Sequence, residues 1–118
     1  MATEQTIVYG IANCDTIKKV RNWLGNRNIA YVFHDYRKHG LEAKLLQSME
    51  SALGWENMLN RRGTTWRKLP ESVKNNIDRE TALEVMLDSP AIIKRPIVAH
   101  EQQFFVGFDE QQFREIFG

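Results

Sequence analysis

The chain has 118 residues, 42% of them hydrophobic and 26% charged, which is enough for one core and too little for two ordinary domains. With 16 Lys and Arg against 15 Asp and Glu, the formal net charge is +1, so no global field draws it to nucleic acid or an acidic membrane. The single cysteine, Cys14, excludes an internal disulfide framework, a CxxC pair and a multi-cysteine zinc site, and it points to the cytoplasm. No apolar run approaches the ~20 residues of a membrane span, and the start of the chain lacks the basic head and apolar stretch of a signal peptide.

Ile7-Val8-Tyr9, stopped by Gly10, has the composition of a buried strand. Asn13, Asp15 and Thr16 offer capping side chains for a helix whose apolar residues Ile17, Val20 and Leu24 share one face before Gly25. Ile29 to Phe33 reads as a second strand, parallel to the first through a right-handed crossover. Leu41, Leu45, Met49 and Leu53 recur every four residues and predict an amphipathic helix after Gly40. An irregular basic stretch follows, and then a helix over Arg79 to Asp88, capped by Asp78, with Leu83, Met86 and Leu87 inward and Ser89-Pro90 as its stop. Ile97-Val98-Ala99 and Phe104-Phe105-Val106, joined by a polar segment, predict an antiparallel hairpin. Asp109 and Gln112 resemble a capping box for a last helix carrying Phe113, Ile116 and Phe117. The order is βαβ, a helical middle, then ββα. It predicts one α/β domain over 1–118, a thioredoxin-like (glutaredoxin-like) mixed sheet with a helical insertion at about 40–90.

Cys14 follows a strand and opens a helix, where unpaired N–H groups and the helix dipole favour an anion such as a thiolate. Lys18, Lys19 and Arg21 add positive charge and Asp15 opposes it. A small buried hydrophobe is the other reading of a lone cysteine, and the residues alone leave both open. Arg95-Pro96 fits either a cis peptide at a specified turn or a simple strand entry. Arg61, Arg62, Arg67 and Lys68 surround Trp66, an arrangement suited to a small anion or to a solvated basic face more than to nucleic acid, given the near-zero net charge. His34, His39 and His100 have no metal-ligand spacing and read as surface or structural residues, and Trp23 and Trp55 read as packing residues.

The segments YGIANCDTIKKVRNWL, FHDYRKHGL, LNRRGTTWRKL and AIIKRPIV resemble the arsenate reductase-like ArsC/Spx/YffB family of thioredoxin-fold proteins, most closely its YffB branch, over nearly the whole length. The resemblance implies a cytosolic bacterial protein in which Cys14 is the nucleophile and glutathione a thiol partner. Family arsenate reductases hold their oxyanion with three arginines. One of these falls on Arg95, one on Asn60 beside Arg61, and one on Gly107, which has no side chain to give. Spx regulators carry a CxxC where this chain has Ile17 in place of the second cysteine.

The expected activity is therefore a glutathione-dependent monothiol reductase, with glutathione as co-substrate, no metal, and a small or protein thiol or disulfide as substrate. Cys14 and Arg95 are its expected catalytic pair. Asn13, Thr16, Arg61, Arg62 and Pro96 are its expected substrate- or glutathione-binding residues. The alternatives are a non-catalytic adaptor, like the Spx regulators that bind RNA polymerase, and an arsenate reductase ranked below both.

Overall fold

A computed structural model describes residues 6–118. They divide into two compact units, one built from the chain up to Gly40 together with Arg95–Gly118, the other from Leu41–Lys94.

The first unit is a four-stranded mixed sheet with helices. Strands β1 (Ile7–Gly10), β2 (Val32–Asp35), β3 (Ile97–His100) and β4 (Gln103–Val106) lie in the order β2-β1-β3-β4. The β1 strand pairs parallel with β2, Ile7 opposite Val32 and Gly10 opposite Asp35, and antiparallel with β3, Tyr9 opposite Ile97. Between β1 and β2 runs α1 (Asp15–Asn26), and α2 (Tyr36–His39) follows β2 directly. With α8 (Glu110–Phe117) closing the chain, the arrangement is thioredoxin-like, as the order of elements predicts.

Strand alternation sends Val8 and Val98 to one face of this sheet, where they meet Ile17, Val20, Trp23 and Leu24 of α1 and Phe113 of α8 in one core cluster. Trp23 packs edge-on against Phe113 at 5.3 Å, which makes it the packing residue expected of it. Each large apolar side chain fully enclosed here contributes about 1.5–3 kcal/mol.

The second strand begins three residues later than the sequence predicts, at Val32 rather than Ile29. Arg27 and Asn28 form a turn whose N–H groups bond back to Leu24 and Gly25, and the Ile29 N–H also bonds to Leu24, so this stretch is spent on ending the helix.

The second unit is helical. It contains α3 (Ala43–Leu53), α4 (Trp55–Met58), α5 (Thr64–Arg67), α6 (Glu71–Asn75), α7 (Arg79–Asp88) and a 3-10 turn over Pro90–Ile92. The basic stretch that reads as irregular thus holds three short helices. Two apolar faces are rotated from their expected positions. In α3 the buried residues are Leu46, Met49 and Glu50, with Leu45 only half-buried, and in α7 they are Ala82 and Met86, with Leu87 38% exposed. Glu50 is tolerated inside because Arg79 Nε donates to its Oε1 at 2.7 Å and the Trp55 N–H to its Oε2 at 3.3 Å.

Candidate functional site

The chain leaves β1 at Gly10 and enters α1 with Cys14 as the N-cap residue, its backbone extended at φ −138° and ψ 130°. The Cys14 carbonyl accepts the Lys18 N–H at 3.0 Å, and no side chain caps the first turn. The expectation that Asn13, Asp15 or Thr16 caps this helix is thereby corrected: the cysteine itself occupies the cap position. The first-turn N–H groups keep their donor capacity and the positive end of the helix dipole at the turn that carries the thiol.

Cys14 is half-buried and packs against the Val8–Ile17–Phe113 cluster. Lys18 and Lys19 are exposed one turn on. Arg21, counted above with the positive field at Cys14, is engaged elsewhere. Its Nε donates to Tyr31 Oη at 3.1 Å and its guanidinium sits 4.7 Å from the Phe33 ring. Asn13 is exposed and Thr16 half-buried, and neither side chain bonds to another described residue.

Arg95 and Pro96 lead into β3 through a cis peptide bond, so the strand-entry alternative is set aside. Pro96 is buried and its carbonyl accepts the Gly107 N–H at 2.9 Å. Gly10, at the end of β1, has both Ile17 of α1 and the Arg95 stem beside it. A Cβ there would collide with Ile17 Cδ1, would stand 3.1 Å from Ile17 Cγ1, and would lie 3.7 Å from Arg95 Cγ. A side chain at position 10 would thus force Ile17 of α1 to shift, while the Arg95 stem stands at ordinary contact distance. Arg95 is half-buried and forms no ion pair with a described carboxylate.

Arg61 and Arg62 belong to the helical unit and are exposed. Arg61 stacks on Trp66 at 5.3 Å, and the Arg62 N–H donates to Asn60 Oδ1 at 3.1 Å, so the Asn60 side chain is committed to its own turn. Gly107, the other position where the resemblance places an arginine, has φ +86°, a left-handed conformation that an arginine would adopt only with strain.

The histidines have structural partners. His34 Nε2 pairs with the Gly40 carbonyl at 2.8 Å, His39 Nδ1 accepts the Asp35 N–H at 3.1 Å, and His100 Nδ1 pairs with Thr6 Oγ1 at 2.8 Å. Among the described residues no group of three or more His, Cys, Asp and Glu could hold a metal ion, and no helix is long and apolar enough to cross a membrane.

The sequence reading passes over Tyr36. It opens α2 directly after Asp35, is 4% exposed, and its hydroxyl has no hydrogen-bond partner. Burial pushes this hydroxyl far above the ordinary tyrosine range, Tyr9 adds to the shift, and the Arg95 guanidinium acts against it. Tyr9 is raised in the same direction by burial. An aromatic residue after a strand reads as core, and nothing in the sequence signals that its hydroxyl will be left unpaired.

Comparison with known proteins adds a second line. The family model described as the ArsC family matches residues 9–116. An uncharacterized protein of Haemophilus influenzae is 46% identical over 110 residues, 93% of this chain and 96% of its own. The global transcriptional regulator Spx of Streptococcus agalactiae is 25% identical over 104 residues, 86% of this chain and 75% of its own. Among solved structures, a YffB protein superposes with a TM-score of 0.93 at 39% identity, covering 97% of this chain and 100% of its own.

Proposed function

This chain belongs to the ArsC family, and from that premise we propose that it is a glutathione-dependent monothiol reductase acting through Cys14. One observation carries the reading: the lone thiol occupies the cap of a helix whose first turn has no other side-chain cap.

The chemistry needs one thiol from the protein. The Cys14 thiolate attacks the glutathione sulfur of a mixed disulfide, R–S–SG, forming an Sγ–S bond and expelling RS⁻, which takes a proton from water. A glutathione thiolate then attacks the glutathione sulfur on Cys14, forming glutathione disulfide and restoring the Cys14 thiolate. In sum R–S–SG and one glutathione thiolate become RS⁻ and glutathione disulfide, the R sulfur being reduced by one electron and the incoming glutathione sulfur oxidised by one, and no second protein cysteine is required. Arg95 holds a carboxylate of the incoming glutathione. Asn13 and Thr16 flank Cys14 in the chain and offer polar groups at the cysteine turn, and Pro96 follows Arg95 at the entry to β3.

The test is turnover of the mixed disulfide of glutathione and 2-mercaptoethanol with excess glutathione. The wild-type protein is expected to raise the rate well above the uncatalysed exchange, and Cys14→Ser to abolish the increase. Equal rates with and without the wild-type protein would overturn the reading.

A second reading has its own support in the similarity to an Spx regulator. A partner-binding regulator needs no turnover, and Cys14→Ser would leave its binding to a protein such as RNA polymerase intact. Arsenate reduction ranks below both, because Asn60 is tied into its own turn and Gly107 sits at positive φ.

A further inference from the structure

We infer that the helical unit carries a second binding site, a cradle for the phosphate group of a small phosphorylated molecule, built by Arg79 of α7 and the polar face of α3 that bears Lys44, Gln47 and Ser51. The inference stands apart from the reading of Cys14, because every residue it uses lies within Leu41–Lys94.

Glu50 prepares the site. A carboxylate is seldom buried, and one that is must be paired and hydrogen-bonded. Glu50 is 8% exposed, and its two oxygens are taken by the Trp55 N–H and by Arg79 Nε, the latter at 2.7 Å. That pairing uses one N–H of the guanidinium. The other four, on its two terminal nitrogens, have no hydrogen-bond partner among the described residues, and the Arg79 side chain is 54% exposed. The buried carboxylate therefore fixes a fork whose outer edge is open.

The open edge has a place to act. Arg79 lines a cavity of about 450 Å³ together with Lys44, Leu45, Gln47, Ser48 and Ser51. Residues 44, 47, 48 and 51 stand at i, i+3, i+4 and i+7 of α3 and so share one face of the helix. No described carboxylate lines the cavity, and Asp78, beside Arg79 in the chain, is occupied with the Thr81 N–H. Lys44 pairs with no described carboxylate. Ser48 Oγ donates to the Lys44 carbonyl at 3.1 Å, whereas the Ser51 hydroxyl and the Gln47 amide have no side-chain hydrogen bond among the described residues.

The donors around the cavity outnumber what a carboxylate takes. Its two oxygens are matched by the two terminal nitrogens of the guanidinium alone, which leaves Lys44, Gln47 and Ser51 without a task. A phosphate monoester presents three strong acceptor oxygens and up to two charges, so it meets the fork and the α3 donors together. The volume suits a metabolite-sized ester, and Leu45 is the one apolar residue of the lining, which favours a polar body on the phosphate.

The experiment titrates the full chain with inorganic phosphate, glycerol 3-phosphate and succinate and follows amide chemical shifts. Ionic strength is held constant with chloride, because salt screens exposed charges. Both phosphates are expected to give saturable shifts at Lys44, Gln47, Ser51 and Arg79, with glycerol 3-phosphate at least as tight as the free ion and succinate weaker. Lys44→Ala and Ser51→Ala change exposed helix positions that accept alanine, and each is expected to weaken phosphate binding about threefold or more, the scale of one hydrogen bond. Arg79→Lys keeps the charge but loses the fork, and a loss of roughly tenfold or more is expected. Thermal unfolding checks that variant, since it alters the partner of Glu50, and the two alanine variants decide the matter if it does not fold. Shifts that do not saturate, shifts confined to other basic residues such as Arg61 or Arg95, or unchanged affinity in either alanine variant would overturn the site. Succinate binding as tightly as phosphate would overturn the phosphate assignment, and an ester weaker than the free ion would overturn the assignment to a phosphorylated molecule.

Discussion

Arg95 Cγ lies 3.7 Å from the point where a Gly10 Cβ would stand. The glycine was legible in the sequence as the end of a strand, but the Arg95 stem beside it was not, because it approaches from 85 residues away in sequence, taking 95 minus 10. Arg95→Ala removes the guanidinium while leaving the buried Pro96 and the strand entry untouched. It is expected to slow the reaction of Cys14 with anionic disulfides by roughly tenfold or more, the scale of a charge-assisted hydrogen bond, with little change for neutral ones. Reaction rates with the two disulfide classes check this, and equal slowing of both would make Arg95 a structural residue. Arg21 teaches a related point. Its position two turns from Cys14 was visible, but its capture by Tyr31 and Phe33 depends on the path the chain takes into β2.

At the scale of elements, helices announced themselves best where a cap and a periodic face agree. The α7 helix matches its expected range because Asp78 does cap it, accepting the Thr81 N–H at 2.9 Å. That hydrogen bond holds the Asp78 carboxyl below its ordinary value of 3.8. A depressed carboxylate contributes stability that is complete above the unfolded value and is lost as pH falls through the folded one. The stability difference between wild type and Asp78→Ala is therefore expected to hold steady above about pH 5 and to shrink below it, as denaturant titrations at several pH values would show. A difference independent of pH would mean that the side chain caps no better when charged. The rotated faces of α3 and α7 were less legible, since a four-residue spacing marks a stripe without saying which neighbouring row is deepest. Glu50 could not have been placed inside without knowing that Arg79 and the Trp55 N–H would meet it.

The hairpin between β3 and β4 shows what turn chemistry hides. Its two central residues, Glu101 and Gln102, have φ of 49° and 64°, the left-handed region in which Asn and Gly are favoured. The sequence lacks the Asn-Gly signal, so the strands read shorter than they are. Gln102→Gly relieves one strained position at the cost of a more flexible unfolded chain, and a gain of roughly 0.5–1 kcal/mol is expected in chemical denaturation. A loss would show that the Gln102 side chain contributes contacts that outweigh the strain.

For the whole molecule, the order of elements sufficed to read a thioredoxin-like fold, because short connections and right-handed crossovers leave few ways to arrange βαβ and ββα on one sheet. The candidate site was legible in part. A thiol at a strand-to-helix turn and an Arg-Pro before a strand are local patterns, whereas the buried Tyr36 hydroxyl without a partner exists only after folding. Near-neutral charge and a single thiol also frame the chemistry, since any anion must be held by a few local donors and any disulfide must be resolved by an external thiol.

The central claim is that Cys14 exchanges with glutathione-bearing disulfides and does not serve arsenate. Holding a tetrahedral oxyanion against a thiolate demands several fixed donors, and loss of one such donor costs about 2–4 kcal/mol, roughly a hundredfold or more in rate. Of the three positions where the resemblance places an arginine, only Arg95 has one, while Asn60 is tied into its own turn and Gly107 has neither a side chain nor a backbone suited to one. The decisive measurement is mass spectrometry of the reduced protein after incubation with glutathione disulfide and, separately, with arsenate plus glutathione and glutaredoxin, with arsenite formation followed in parallel. A glutathione adduct on Cys14, absent from Cys14→Ser, together with negligible arsenite, is the predicted result. Sustained arsenite formation that Cys14→Ser abolishes, or a Cys14 that glutathione disulfide leaves unmodified, would contradict it.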